Sequence, residues 1–405
     1  MTDYDVIVVG ARCAGAPTGM LLARKGYRVL VVDRATFPSD TLSTHLVHAP
    51  GVAALQRWGL LADVVASGAP PLRTYSFDFG PFTLRGTPRP LEGSSAGYAP
   101  RRTVLDTILV NAAADAGAEV REGFTVEEVL VDDGVVVGIR GHGDDGATVV
   151  ERARVVIGAD GRNSHVARTV RPEQYDDKPM QQWSYYTYWS DLPADGMEVV
   201  VRPDRGWGMF PTNDDLTLLV VGWPYAEAPA YKADVERNYL KTLELAPEVA
   251  ARVAGATRQD RFRGGAVPNF FRKPFGLGWA LVGDAGYTKD PITAQGISDA
   301  FRDAELCAAA LDEAFAGRRP YDDAMSAYQR ERDALSRPIY EFTAQLASLE
   351  MPPPEVQQLL AAAHGQPEAM DAFASVVAGT VSPLEFFDPE NIGRILQGAA
   401  VAPRP

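Results

Sequence analysis

Three short segments carry residues whose types and spacing suit a phosphorylated, hydroxyl-rich ligand. The first is Gly10-Ala11-Arg12-Cys13-Ala14-Gly15, between an apolar run and a helix-forming stretch. Glycines in such a turn allow a tight bend, close backbone approach to a pyrophosphate and packing of helix on sheet. The helix N-terminus adds amides and a positive dipole end. Arg12 stands where the usual fingerprint has its middle glycine, and it reads either as a contact near the phosphates or as a solvated side chain. Asp33, 23 positions after Gly10, can accept ribose hydroxyls, with Arg34 beside it. Alone, the segment reads equally well as a packing turn.

The second segment, Gly158-Ala159-Asp160-Gly161, ends an apolar run and precedes Ser164 and Arg168. It either returns the chain to the same ligand or is an ordinary strand-end turn, since Asp-Gly is common at turns. The third is Gly283-Asp284-Ala285, followed by Asp290-Pro291 and Gly296-Ile297. A carboxylate delivered by a strand suits ribityl hydroxyls, and the amides of a following helix N-terminus suit an electron-rich carbonyl.

Other residues offer chemistry more ambiguously. His45 and His48 lie in a Ser/Thr-rich stretch and read as acid–base candidates or as capping and packing residues. Aromatic residues crowd 183–189, and period-two alternation places Trp183, Tyr185 and Trp189 on one face, Tyr186 and Tyr188 on the other. Trp183, Tyr185 and Trp189, with Trp207, Phe210 and Pro211, are the candidates for a pocket taking a flat or apolar ligand. The same residues also suit packing against a neighbouring layer. The five histidines are scattered and the two cysteines, Cys13 and Cys307, are far apart, so no metal site is expected.

These residues need elements to position them. Residues 4–10, 14–25 and 28–33 read as strand, helix and strand, a βαβ unit that makes a parallel sheet. Helices are expected over 51–58 and 103–116, and a hairpin within 124–157 turning at Asp132-Asp133-Gly134. Aromatic and β-branched strands over 180–224 suggest a second sheet. A strand over 279–286 precedes a helix over 293–316, and further helices follow at 324–345, 355–363 and 368–378. Residues 382–387 either cover the pocket or pack plainly, and the last residues, 401–405, are expected to fray.

Taken together and in this order, the three motifs resemble the flavin-dependent aromatic hydroxylase superfamily, of the para-hydroxybenzoate hydroxylase type, which also holds geranylgeranyl reductases and flavin halogenases. The resemblance spans residues 3–340 and includes Arg102-Thr103-Val104-Leu105-Asp106 and residues 51–61. It implies an α/β fold: a Rossmann-like FAD-binding domain, discontinuous in sequence (1–75, 98–175 and 270–340), an inserted antiparallel-sheet substrate domain (76–97 and 176–269) and a C-terminal helical segment (341–405). It implies FAD with its adenosine at Gly10–Gly15 and Asp33, Arg102 near the ribityl–pyrophosphate region, Asp284 at the ribityl chain and Asp160 supporting its turn. It places Pro291 against the flavin, Gly296 and Ile297 amides at its pyrimidine edge, and the Val126 backbone at the adenine. The chain departs from the family at Arg12 and at Thr288, where many members carry histidine.

The activity so implied is a monooxygenase that uses NAD(P)H and O2 to hydroxylate or epoxidise a small aromatic or polyketide-like metabolite through a flavin hydroperoxide. The alternative is a reductase or dehydrogenase acting on a carbon–carbon double bond. The hydroxylases have no universal catalytic side chain, and His45, His48 and Pro291 are the candidates here. The halogenase element Trp-x-Trp-x-Ile-Pro is absent from the sequence. No second Gly-rich βαβ unit is present, which fits either a transient NAD(P)H or electrons from a partner flavin reductase. Composition agrees: 39 Lys+Arg against 53 Asp+Glu give a net charge of -14, whose field repels nucleic acid and anionic membranes. No apolar run reaches the roughly 18 residues of a membrane span, and a cytoplasmic setting is expected from the sparse cysteines and the acidic N-terminus.

Overall fold

The computed structural model describes residues 3–94 and 96–401; of the tail expected to fray, 402–405 lie outside the described residues. The first strand, Tyr4–Val9, sets the layering. Val6 and Val8 enter one apolar cluster, Ile7 and Val9 another, so the strand is buried on both faces. It pairs in parallel with Val29–Val32 and with Thr148–Gly158, Val8 lying opposite both Val31 and Ile157. Glu119–Arg121 and Trp279–Leu281 extend the parallel sheet at either side. Helices Gly15–Arg24, Arg102–Asp115 and Gly296–Phe315 cover one face through residues such as Met20, Leu109 and Phe301.

The other face is covered by a hairpin of Thr125–Asp132 and Val135–His142. Its turn is the expected one: Asp133 and Gly134 both have positive φ, +46° and +80°, the backbone whose twist matches paired strands. Helix Ala49–Trp58 carries Pro50 in its first turn and stops at Gly59, whose φ of +80° ends the ladder.

Two elements differ from the sequence reading. The strand expected over 279–286 stops at Leu281, because Gly283 turns at φ +56° into a short 3-10 helix, Gly283–Ala285. The helix expected from 293 starts at Gly296, after a separate 3-10 turn, Pro291–Thr293, and Ala294 at φ +52°.

The second sheet runs in the order Gln182–Ser190, Thr217–Pro224, Arg205–Pro211, Met197–Arg202, Tyr75–Asp78, Thr83–Gly86, with two short strands beside Gln182–Ser190. Its outer face packs on helices Val235–Leu243 and Pro247–Ala254 through Trp189, Trp223 and Tyr239. Its inner face packs, through Phe77, Tyr188 and Phe210, on the C-terminal helices Pro354–Ala363 and Pro367–Val377. The helix Tyr321–Ala347 gives Tyr328 to the cluster on the first sheet and Phe342 to that on the second. No described helix is long and apolar enough to cross a membrane.

Candidate functional site

The three glycine-bearing segments meet at the C-terminal ends of the parallel strands, where backbone contact leaves no room for side chains. A Cβ on Gly15 would stand 1.7 Å from the carbonyl oxygen of Gly10, and one on Gly10 (φ +102°) 2.5 Å from that of Ala159. One on Gly283 would stand 2.8 Å from Ala14 Cβ. First and second segments therefore touch, and the third closes on the first.

Around this junction lies a cavity of about 700 Å³. Of the expected cofactor contacts, Gly10, Arg12, Cys13, Ala14, Asp33, Arg34, Arg102, Val126, Asp160, Asp284, Pro291, Gly296 and Ile297 line it. Ala11 and Gly15 do not; they are buried in the packing beneath it. Residues missed from the sequence also line it, among them Arg162, Tyr186 and Lys289. Lys289 and Asp290 sit directly before Pro291, so proximity to the third segment was the one signal for Lys289.

Asp33 closes the first loop: its carboxylate accepts the Ala11 and Ala35 amides, each at 2.8 Å. Asp160 accepts the His165 amide at 2.5 Å and so fixes the turn into helix His165–Val170. Arg12 is partly exposed but not free. Its Nη1 donates to Asp106 Oδ2 at 2.6 Å and its Nη2 to Ser39 Oγ at 2.7 Å. Arg102, one turn ahead of Asp106, donates Nε and Nη2 to Asp106 Oδ1 at 3.0 and 2.9 Å. Two guanidiniums thus share one buried carboxylate, which leaves a net positive charge on the cavity wall. Cys13 packs its thiol against the same carboxylate at 3.4 Å, and burial raises that thiol's pKa.

Asp284 is exposed into the cavity. Surrounding protein pushes its pKa up, against the pull of Lys289, Arg102 and Arg162. At the far end, helix Gly296–Phe315 opens with no side-chain cap, so its first amides and positive dipole end face the cavity at Gly296. Lys289 is ion-paired with Asp299, which Arg302 also holds at 2.8 Å.

The two histidines take positioning roles. His48 is fully buried; since the Thr293 carbonyl only accepts, its Nε2 donates there at 3.0 Å and its Nδ1 takes the Tyr75 hydroxyl at 3.0 Å. It ties the Pro291–Thr293 turn to the second sheet, and burial lowers its pKa to about 4. His45, at φ +63°, is hydrogen-bonded through Nε2 to the Tyr188 hydroxyl. Burial, with Arg102 and Arg101 nearby, lowers its pKa to about 3. It does not line the cavity.

A second cavity, of about 840 Å³, lies between the inner sheet face and the C-terminal helices. It adjoins the first: Thr44, Ser184, Val220, Pro291 and Ala294 line both. The expected pocket face is corrected here. Trp183, Tyr185 and Trp189 line neither cavity but point outward, Tyr185 beside Trp223 and Trp189 stacked on Tyr239. Trp183 lies under the Lys232 ammonium at 3.6 Å. The alternation holds, but two helices cover the aromatic face, leaving Gln182, Ser184 and Tyr186 inward. Phe210 lines the second cavity, and Trp207 borders it while packing in the outer cluster. Pro211 lines neither. Phe387, in the segment considered as a cover, lines the second cavity while Phe386 is buried in the core.

The chain matches the FAD binding domain family over residues 3–343. It is 26% identical over 385 residues to digeranylgeranylglycerophospholipid reductase 1 of Methanopyrus kandleri, covering 91% of this chain and 96% of that protein. It is 30% identical over 401 residues to a 12-dehydrotetracycline 5-monooxygenase/anhydrotetracycline 6-monooxygenase of Streptomyces rimosus, covering 88% of this chain and 72% of that protein. A solved flavoprotein/dehydrogenase of Cytophaga hutchinsonii superposes with a TM-score of 0.82 at 18% identity over 98% of each chain, a likeness of fold alone. With three loops closed on one cavity and the match running through all of them, the chain belongs to the FAD binding domain family and is an FAD-dependent oxidoreductase.

Proposed function

We propose that the chain is a monooxygenase that takes electrons from NAD(P)H and inserts one oxygen atom of O2 into a small aromatic or polyketide-like molecule held in the second cavity. The observation that carries this reading is the junction of the two cavities at Pro291 and Ala294, which places a mainly apolar chamber beside the cofactor chamber. The relatives include a tetracycline monooxygenase, whose named substrates are multi-ring polyketides.

The residues present fit FAD. Gly10 and Gly15 let the first two loops pack together where a Cβ would collide with backbone, and so leave Gly10, Arg12, Cys13 and Ala14 on the cavity wall, suited to backbone contact with a pyrophosphate. Arg102 and Arg12 add positive charge there, Asp33 and Val126 would hold the adenosine, and Asp284, Pro291, Gly296 and Ile297 the flavin end. Bound FAD supplies the hydride acceptance and oxygen activation that no side chain offers. The chain's own part is placement. Gly296 and Ile297 amides would stabilise negative charge at the helix end, His48 holds the Thr293 carbonyl and so the Pro291 turn, and the phenylalanines of the second cavity offer an apolar wall.

The alternative, reduction of a carbon–carbon double bond without oxygen insertion, draws on the alignment with the Methanopyrus kandleri reductase over 91% of this chain. Turnover of a panel of neutral aromatic compounds with NADPH or NADH under ¹⁸O2 separates the two. Product carrying one ¹⁸O supports the monooxygenase. Product heavier by two hydrogens, with no ¹⁸O, overturns it in favour of the reductase.

A further inference from the structure

The second cavity is mainly apolar, and the polar residues on its sheet wall include Gln181, Gln182, Ser184 and Arg205; the Oε1 of Gln181, like that of Gln182, has no hydrogen-bond partner. Gln182 is 5% exposed, lines this cavity, and its buried Oε1 has no hydrogen-bond partner. Leaving a buried acceptor unmet is costly, and native structures keep few of them. The amide is seated, not loose. On the adjoining strand, a Cβ at Gly222 would stand 2.8 Å from the Gln182 amide carbon, so that glycine makes the space in which the amide lies. Ser184, two residues along on the same face, lines both cavities and marks the way to the cofactor.

The cavity's charges argue about the ligand as well. Its two basic residues are already engaged, Lys178 with Glu341 at 2.9 Å and Arg205 with Glu227 at 2.8 Å. A ligand carboxylate would find no free cation, and burying it unpaired is unfavourable. Phe77, Phe210, Phe342 and Phe373 give the apolar part of the wall its aromatic rings.

We propose that this cavity binds a neutral, flat, multi-ring molecule bearing a hydroxyl or N–H group, and that Gln182 accepts that group's hydrogen bond and orients the ring system toward Pro291. The inference rests on the second cavity being the substrate chamber proposed above. Two residues of extended strand separate Gln182 from Ser184, about 7 Å. The donor group therefore anchors the end of the molecule away from the cofactor, and oxidation falls on a carbon remote from it. Gln182 is a specificity residue and takes no proton.

The test is equilibrium binding to the FAD-loaded protein, read by the flavin difference spectrum, with three probes. These are 2-naphthol, its methyl ether 2-methoxynaphthalene, which lacks the donor, and 2-naphthoate, which is charged. The expected order is 2-naphthol tightest by roughly tenfold over the ether, and naphthoate weakest. Gln182→Leu should weaken 2-naphthol by roughly tenfold and leave the ether unchanged. Gly222→Ala, which displaces the amide without removing it, should reproduce that loss. Flavin content and melting temperature, measured for both variants, identify misfolding. Equal binding of naphthol and ether, tightest binding of naphthoate, no binding of any probe, or a preference that survives both folded variants would overturn the proposal. The outcome is independent of turnover: a preserved binding order with no ¹⁸O incorporation in any product overturns the monooxygenase reading alone.

Discussion

Arg12 of the first loop reaches across to Asp106, one helix away, and closes on it at 2.6 Å. The arginine that occupies a glycine position of the usual fingerprint is thereby explained as an intramolecular tie. Arg12 keeps 24% of its side chain exposed while Asp106 is wholly buried and also holds Arg102. The partners should therefore respond unequally. Asp106→Leu leaves two guanidiniums without their counter-charge and should cost about 3–5 kcal/mol of stability in urea unfolding. Arg12→Ala should cost about 1 kcal/mol, since one partner is partly hydrated and Arg102 remains. Equal losses would show that the tie, and not the shared carboxylate, carries the stability.

Asp284 should serve the ligand and not the fold. Its carboxylate faces the cavity and its pKa is raised by surrounding protein. Asp284→Ala should raise the FAD dissociation constant by tenfold or more, roughly the worth of one charge-assisted hydrogen bond. The apoprotein's melting temperature should hold or rise. A drop in apoprotein stability with unchanged FAD affinity would make Asp284 a structural residue.

Two buried groups beside the Pro291 turn titrate with opposite signs. Burial raises Asp290 from 3.8 to about 7 and lowers His48 from 6.5 to about 4. For Asp290 the folded state binds the extra proton, so its stability contribution is full below pH 3.8 and is lost as pH rises through about 7. For His48 the unfolded state binds the extra proton, so its contribution is full above pH 6.5 and is lost as pH falls toward about 4. The stability difference between native protein and Asp290→Asn should therefore shrink with rising pH, and that between native protein and His48→Gln should grow. Curves that run parallel to the native one would show that neither group titrates differently on folding.

The two faces of one strand should separate cleanly in mutagenesis. Trp189→Ala removes a ring stacked on Tyr239 beneath the outer helices and should cost about 3–5 kcal/mol without altering ligand binding at constant folded fraction. Phe210→Ala should weaken 2-naphthol binding as well as stability, because that ring lines the second cavity. Weaker naphthol binding in folded Trp189→Ala would return the outward face to the pocket.

The meeting of the three glycine-bearing segments was legible in the sequence because their packing constrains the backbone. Gly10 and Gly15 are demanded by contacts of 2.5 and 1.7 Å that a Cβ would make, and such demands leave glycines at fixed spacing. Asp33 and Asp160 sit at strand ends, where a turn rule already applies. The second cavity was not legible for the opposite reason. Alternation correctly divided Trp183, Tyr185 and Trp189 from Tyr186 and Tyr188, but which face is the wall depends on what covers the other. Helices Val235–Leu243 and Pro247–Ala254 cover the aromatic one, a long-range fact no local pattern holds. Gln182 carried no signal either, since a glutamine in a strand is remarkable only once its partners are known to be missing.

The wall formed by Phe342, Phe373 and Phe387 belongs to the last portion of the chain, whereas the cofactor chamber is complete by Ala300. Synthesis runs from the N-terminus, so on a ribosome every residue that lines the cofactor chamber is made before Phe373 or Phe387. Two of those three rings, Phe373 and Phe387, also lie beyond residue 343, where the family match ends. Exchange of that final portion between relatives would re-cut the chamber's shape and leave the machinery of electron transfer as inherited.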